Sequence, residues 1–145
     1  MIPPEFFKAP GQWRAEGTIT LPLGLEALPF HAIWQGQGSL WTQQVFLEGV
    51  HEPVTNAYKR NFGELPLILL ESPHLGSLQA DLIESDNQIG WEIRSPELSG
   101  YEWFQRQPDG SYKHVAEFTG EHGLRTKIES VLRWDSEVST FGDQE

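Results

Sequence analysis

Cysteine is missing from this chain of 145 residues, which excludes disulfides, thiolate metal sites and a cysteine nucleophile together. Basic residues are scarce: 10 Lys and Arg stand against 21 Asp and Glu, for a formal net charge of -11. A stripe of cations able to follow a phosphate backbone is hard to assemble from so few, so the composition argues against a nucleic-acid partner. The acidity serves solubility instead. Long apolar runs are missing too. The longest, around Leu65-Pro66-Leu67-Ile68-Leu69-Leu70, falls far short of a membrane span. Met1-Ile2-Pro3-Pro4-Glu5 has neither the basic stretch nor the apolar run of a secretory leader, and the expected location is cytoplasmic. No convincing amphipathic helical pattern exceeds about two turns. Phosphate-loop, dinucleotide, kinase and hydrolase motifs are lacking: Gly36-Gln37-Gly38 neither continues to a third glycine at the right spacing nor opens a helix.

What is present is a succession of short alternating segments. Gln12 to Thr20 sets Trp13, Ala15, Gly17 and Ile19 on one face by the period of two that strands impose. His31 to Trp41 reads as a strand with two tryptophans and interior glycines, and Gln44 to Glu48 follows it. Further strands are expected at 54–62, 67–71, 78–84, 89–94, 101–106, 112–118 and 124–134. Turn chemistry separates them at Ser72-Pro73-His74, Ser85-Asp86-Asn87, Ser95-Pro96-Glu97 and Pro108-Asp109-Gly110. Residues 1–10 contain one helical turn, Leu21 to Pro29 is a loop near one mouth of the fold, and 135–145 is an acidic, frayed tail. This spacing predicts a single all-β domain over 1–145, an antiparallel up-and-down barrel of about nine to ten strands able to hold one small ligand. Glycines inside strands mark the bends that curling needs, and closure hides apolar edges. An immunoglobulin-like sandwich is the rival fold and usually has fewer strands.

No catalytic residue can be assigned from spacing. His31, His51, His74, His114 and His122 show no paired spacing on one element, so no metal site is expected. His114 could pair with Glu117 or Glu102 across strands as an acid and base. Arginine is more informative. Arg60, Arg94, Arg106, Arg125 and Arg133 fall in expected strands close to Tyr58, Trp91, Trp103, Phe104 or Trp134. An arginine turned into an aromatic-lined barrel suits a flat apolar molecule bearing acid groups, whereas one turned outward offsets surface acidity. The expected ligand-binding set is Trp34, Tyr58, Arg60, Trp91, Arg94, Trp103, His114 and Arg125. Which strand faces point inward stays open, because a register slip of one residue reverses every face.

Glu5-Phe6-Phe7 followed by Gly11-Gln12-Trp13-Arg14 resembles the opening of the S-type phycobiliprotein lyases, calycin-fold barrels that attach bilin chromophores to cysteines of phycobiliproteins. Trp34-Gln35-Gly36-Gln37-Gly38-Ser39-Leu40-Trp41 is similar to that family's Trp-x-Gly-Ser stretch, with altered spacing, and Leu124-Arg125-Thr126 matches its Leu-Arg-Thr motif. Glu16-Gly17-Thr18 stands where the family has Gln-Arg-Thr, and Gly123 where it has a second arginine. The resemblance implies a calycin barrel with Trp13 at its closed end beneath Arg125 or Arg133. It implies a hydrophobic, acid-bearing ligand, a bilin or another tetrapyrrole-like or lipid-like molecule, with no further cofactor required. It also implies a chromophore lyase or chaperone activity, of the carbon-sulfur lyase class, with a phycobiliprotein subunit as the partner that supplies the thiol. A non-enzymatic lipocalin-like carrier and a barrel isomerase or cyclase use the same architecture, and a homodimer is compatible with each.

Overall fold

Alternation of apolar and polar residues, punctuated by turn residues, resolves into ten strands. They are β1 (Gly11–Thr20), β2 (Leu28–Gln37), β3 (Leu40–Leu47), β4 (Val54–Asn61), β5 (Leu67–Ser72), β6 (Gly76–Ser85), β7 (Gln88–Arg94), β8 (Leu98–Arg106), β9 (Tyr112–Gly120) and β10 (Arg125–Ser136). The computed structural model describes residues 4–21, 26–37, 39–61, 67–73, 76–120 and 123–136. Each strand runs antiparallel to its neighbours in sequence, and β1 also pairs with β10, so the sheet closes into a barrel. The expected all-β antiparallel barrel is thus the observed one, and its architecture is consistent with a calycin-like fold.

Three local expectations change. The first turn is no helix: the amides of Lys8 and Ala9 donate to the Glu5 carbonyl at 3.3 and 3.1 Å, while Phe7 sits at φ 70°, left-handed backbone that a helix does not continue through. That turn drops both Phe6 and Phe7 into the barrel. The stretch from His31 to Trp41 is two strands, because the chain reverses between Gln37 and Leu40 and sets Trp41 opposite Gly36. A Cβ on Gly36 would lie 2.3 Å from Trp41 Cδ2, so the glycine makes room for the indole. Finally, β10 continues as paired strand to Ser136, and β2 already begins at Leu28. The rest of the acidic tail (137–145), residues 22–25 of the mouth loop, Gly38, His74 and His122 lie outside the described residues.

The barrel interior has two halves. At the end where β1 begins and β10 finishes, Phe6 and Phe7 fill the lumen among Trp13, Trp34, Trp41, Trp91 and Phe104, all fully buried. Trp13 lies at this closed end, edge-on to Phe6 and Tyr112 at 5.7 and 5.3 Å. The other half keeps aliphatic side chains around an open space.

Candidate ligand-binding cavity

Inward-facing residues of the mouth half include Ile19, Phe30, Val45, Val54, Leu70, Ile93, Leu98, Phe118 and Ile128, one from each strand except β6. They enclose a cavity of about 710 Å3, open at the end that carries the β1–β2, β3–β4, β5–β6, β7–β8 and β9–β10 connections. Where this apolar wall meets the aromatic packing, the lining turns polar: Gln43, Asn56, Tyr58 and Glu102 face the cavity.

Glu102 organises that floor. Its Oε1 accepts a hydrogen bond from Trp91 Nε1 at 2.9 Å and a longer one from the Tyr58 hydroxyl at 3.4 Å. Its Oε2 lies 2.8 Å from His114 Nε2, and His114 Nδ1 lies 2.9 Å from Ser130 Oγ. Both Glu102 and His114 are buried, at 3% and 1% side-chain exposure. On the far side, Gln43 Oε1 accepts from Asn56 Nδ2 at 2.9 Å and lies 3.4 Å from the Tyr58 hydroxyl. A polar belt therefore crosses the barrel from β10 through β9, β8 and β4 to β3. Among the described residues the indole N–H groups of Trp13, Trp34, Trp41 and Trp134 are buried without a partner. Trp91 differs because a carboxylate stands beneath it. The sequence pairing of His114 with Glu102 is realised; Glu117 instead lies on the outer face and meets Arg125.

Comparison with known proteins matches no family model, no curated protein and no solved structure. The site is accordingly read from its own geometry.

Of the residues expected to bind ligand, the barrel brings Trp34, Tyr58, Trp91 and His114 together. Trp34 and Trp91 pack on the Tyr58 ring at centroid distances of 5.0 and 5.3 Å, and His114 stacks on Phe104 at 4.4 Å. Tyr58 is the one of these four that touches the cavity directly; the other three support the floor from below. Arg60 shares the inner face of β4 but lies towards the closed end, where it pairs with Glu84. Arg94 and Arg125 stand on the outer face with 75% and 66% of their side chains exposed, beside Glu92 and Glu117, because a guanidinium keeps its hydration there. Trp103 is also outside the lining. It lies across Gly90, whose Cβ position is 2.7 Å from Trp103 Cε3, so the indole covers a bare stretch of sheet. Arg133 bridges to Asp109 at 3.7 Å and not to Trp13. Gln43 and Asn56 were not singled out from the sequence. Asn56 had a usable signal, since it alternates with Tyr58 on one strand face.

Burial, then the charge of Glu102, then the hydrogen bond to it, push the Tyr58 hydroxyl well above its usual value of 10.0. The folded protein holds this proton at pH values where the unfolded chain has released it, so the associated stability is intact below about pH 10 and declines as pH rises towards the folded value. The melting temperature of the wild type is therefore expected to fall more steeply above about pH 10 than that of Tyr58→Phe. Parallel pH profiles for the two proteins would contradict this.

Proposed function

We propose that this protein binds an apolar small molecule inside its barrel, with the hydrogen-bonding end of the ligand against Gln43, Asn56, Tyr58 and Glu102. The observation that carries the proposal is the cavity itself. Its volume of about 710 Å3 falls within the range of about 300–1,000 Å3 usual for small-molecule sites. A barrel built only for interaction with other proteins has no need of such a space. The floor has hydrogen-bonding capacity to spare: the network uses Gln43 Oε1 and Asn56 Nδ2, leaving Gln43 Nε2 and Asn56 Oδ1 for a guest.

A linear tetrapyrrole meets these requirements, with pyrrole N–H donors for Glu102 and acid-bearing arms directed out of the mouth. The opening motif around Phe6, Phe7 and Trp13 supports the same ligand class. As a lyase or chaperone, the barrel would hold the bilin in a reactive shape while an acceptor subunit supplies the thiol. The carrier reading needs the cavity alone and is the one favoured here.

Titration with phycocyanobilin and with an apolar dye, followed by tryptophan fluorescence, tests the proposal, since Trp91 and Trp34 lie beneath the floor. Saturable quenching near one equivalent is expected, together with a sharpened visible band for the bilin. Ile128→Trp, which narrows the cavity from β10, should weaken both. Fluorescence untouched by either probe, or undiminished binding by Ile128→Trp, would overturn the proposal.

A further inference from the structure

We infer that the head group selected at the floor of this cavity is a cation, a protonated amine carried on an apolar body. The inference rests on the binding function proposed above, in its carrier reading, and puts an amine in place of the tetrapyrrole as the ligand. All ten Lys and Arg of the chain are among the described residues, and none lines the cavity. Among the described lining residues Glu102 alone is charged. Trp91 and Tyr58 donate to it without carrying charge, and its third partner, His114 Nε2 at 2.8 Å, offsets the carboxylate only when the imidazole is protonated, so no permanent cation stands beside it. A charge in an apolar enclosure interacts far more strongly than one in water, and an arriving ammonium would supply a permanent counter-charge on the cavity side of the carboxylate.

The remaining floor groups fit the same guest. An ammonium has three donors and no acceptor, and the floor offers the carboxylate, Asn56 Oδ1 and the Tyr58 hydroxyl oxygen as acceptors. Phe30 and Phe118 also line the cavity, and an aromatic ring face attracts a cation, not an anion. Outside, Glu26, Glu48, Glu52 and Glu97 stand on the connections at the mouth end, while Arg94 and Arg125 at the same end lie beside Glu92 and Glu117. A carboxylate guest would meet Glu102 as a like charge in a desolvated site and would have to bind protonated. The expectation of an acid-bearing ligand drew on arginines turned inward; Arg94 and Arg125 are turned outward, and Arg60, on the inner face, pairs with Glu84 towards the closed end, away from the cavity lining.

The test is a chain-matched series, dodecylamine, 1-dodecanol and sodium dodecanoate, titrated below their aggregation concentrations into the wild type and Glu102→Gln by calorimetry at neutral pH. Dodecylamine is expected to bind at least about tenfold more tightly than dodecanol, in line with a charge-assisted hydrogen bond, and dodecanoate most weakly. Glu102→Gln should remove the preference for the amine, so that dodecylamine binds the variant no more tightly than dodecanol does. Equal binding of amine and alcohol, or tightest binding of dodecanoate, overturns the cation inference while leaving the binding function standing. Failure of all three chains to bind overturns both. Should Glu102→Gln not fold, the order of the three affinities in the wild type decides alone.

Discussion

Phe6→Ala is expected to destabilise the protein by about 3–5 kcal/mol, the range for removing a fully buried aromatic ring. That is a large share of the roughly 5–15 kcal/mol by which most domains are stable. Phe6 is 1% exposed and packs on Trp13, Trp34, Trp41, Phe104 and Tyr112 at centroid distances between 4.7 and 5.7 Å. Its backbone N–H donates to the Tyr112 hydroxyl at 3.1 Å, tying the first turn to β9. The rings around it belong to strands locked into a closed sheet, so they cannot collapse into the space an alanine would leave. Urea unfolding followed by circular dichroism measures the loss. A change under about 1 kcal/mol would mean that the turn is an addition to a barrel already closed without it.

The second large effect is expected at Glu102. Glu102→Leu removes the acceptor for Trp91 Nε1 and the partner of His114 Nε2, while Tyr58 keeps Gln43. Two donors are thereby stranded at about 1–3 kcal/mol each, so a loss of about 3–5 kcal/mol is expected. Glu102→Gln should be much milder, about 1 kcal/mol. Its oxygen still accepts from Trp91, and its amide can donate to His114 once the imidazole turns its other N–H to Ser130 Oγ. Thermal melts of the two variants make the comparison. A leucine variant more stable than the wild type would show that the carboxylate costs more to desolvate than its partners return. The network would then be kept for binding and not for folding.

These effects arise from residues whose importance was unequally visible. The His114–Glu102 pair could be named because residues of adjacent strands were expected to meet, and β8 and β9 do pair, with Phe104 opposite His114 and Glu102 opposite Ala116. The Tyr58–Glu102 contact spans 44 positions and crosses the lumen, so no local pattern announces it. Trp103 belongs to the expected ligand-binding set because six tryptophans are a heavy aromatic load for this chain, while periodicity leaves its face open. In Tyr101-Glu102-Trp103-Phe104 either face can be called apolar, and the fold buries Glu102 with Phe104 while Trp103 shields Gly90 on the outside. Arg125 alternates with Thr126 and Ile128 as expected, and those two line the cavity, which sends the arginine outward beside Glu117.

The sequence by itself determined the strands and their closure. A period of two, broken by turns such as Pro108-Asp109-Gly110, where Ser111 bonds back to Asp109 at 2.9 and 2.6 Å, is a local property that survives any tertiary arrangement. Absence of cysteine and of long apolar runs is likewise independent of fold. Only the tertiary structure decided which face of each strand is interior, that Phe6 and Phe7 fill one half of the lumen, and that the other half stays open above Glu102. Those outcomes depend on register around a closed sheet, where a slip of one residue exchanges inside and outside along a whole strand. They depend also on contacts between strands that do not neighbour each other, such as Tyr58 of β4 with Glu102 of β8, which face across the lumen once β1 meets β10.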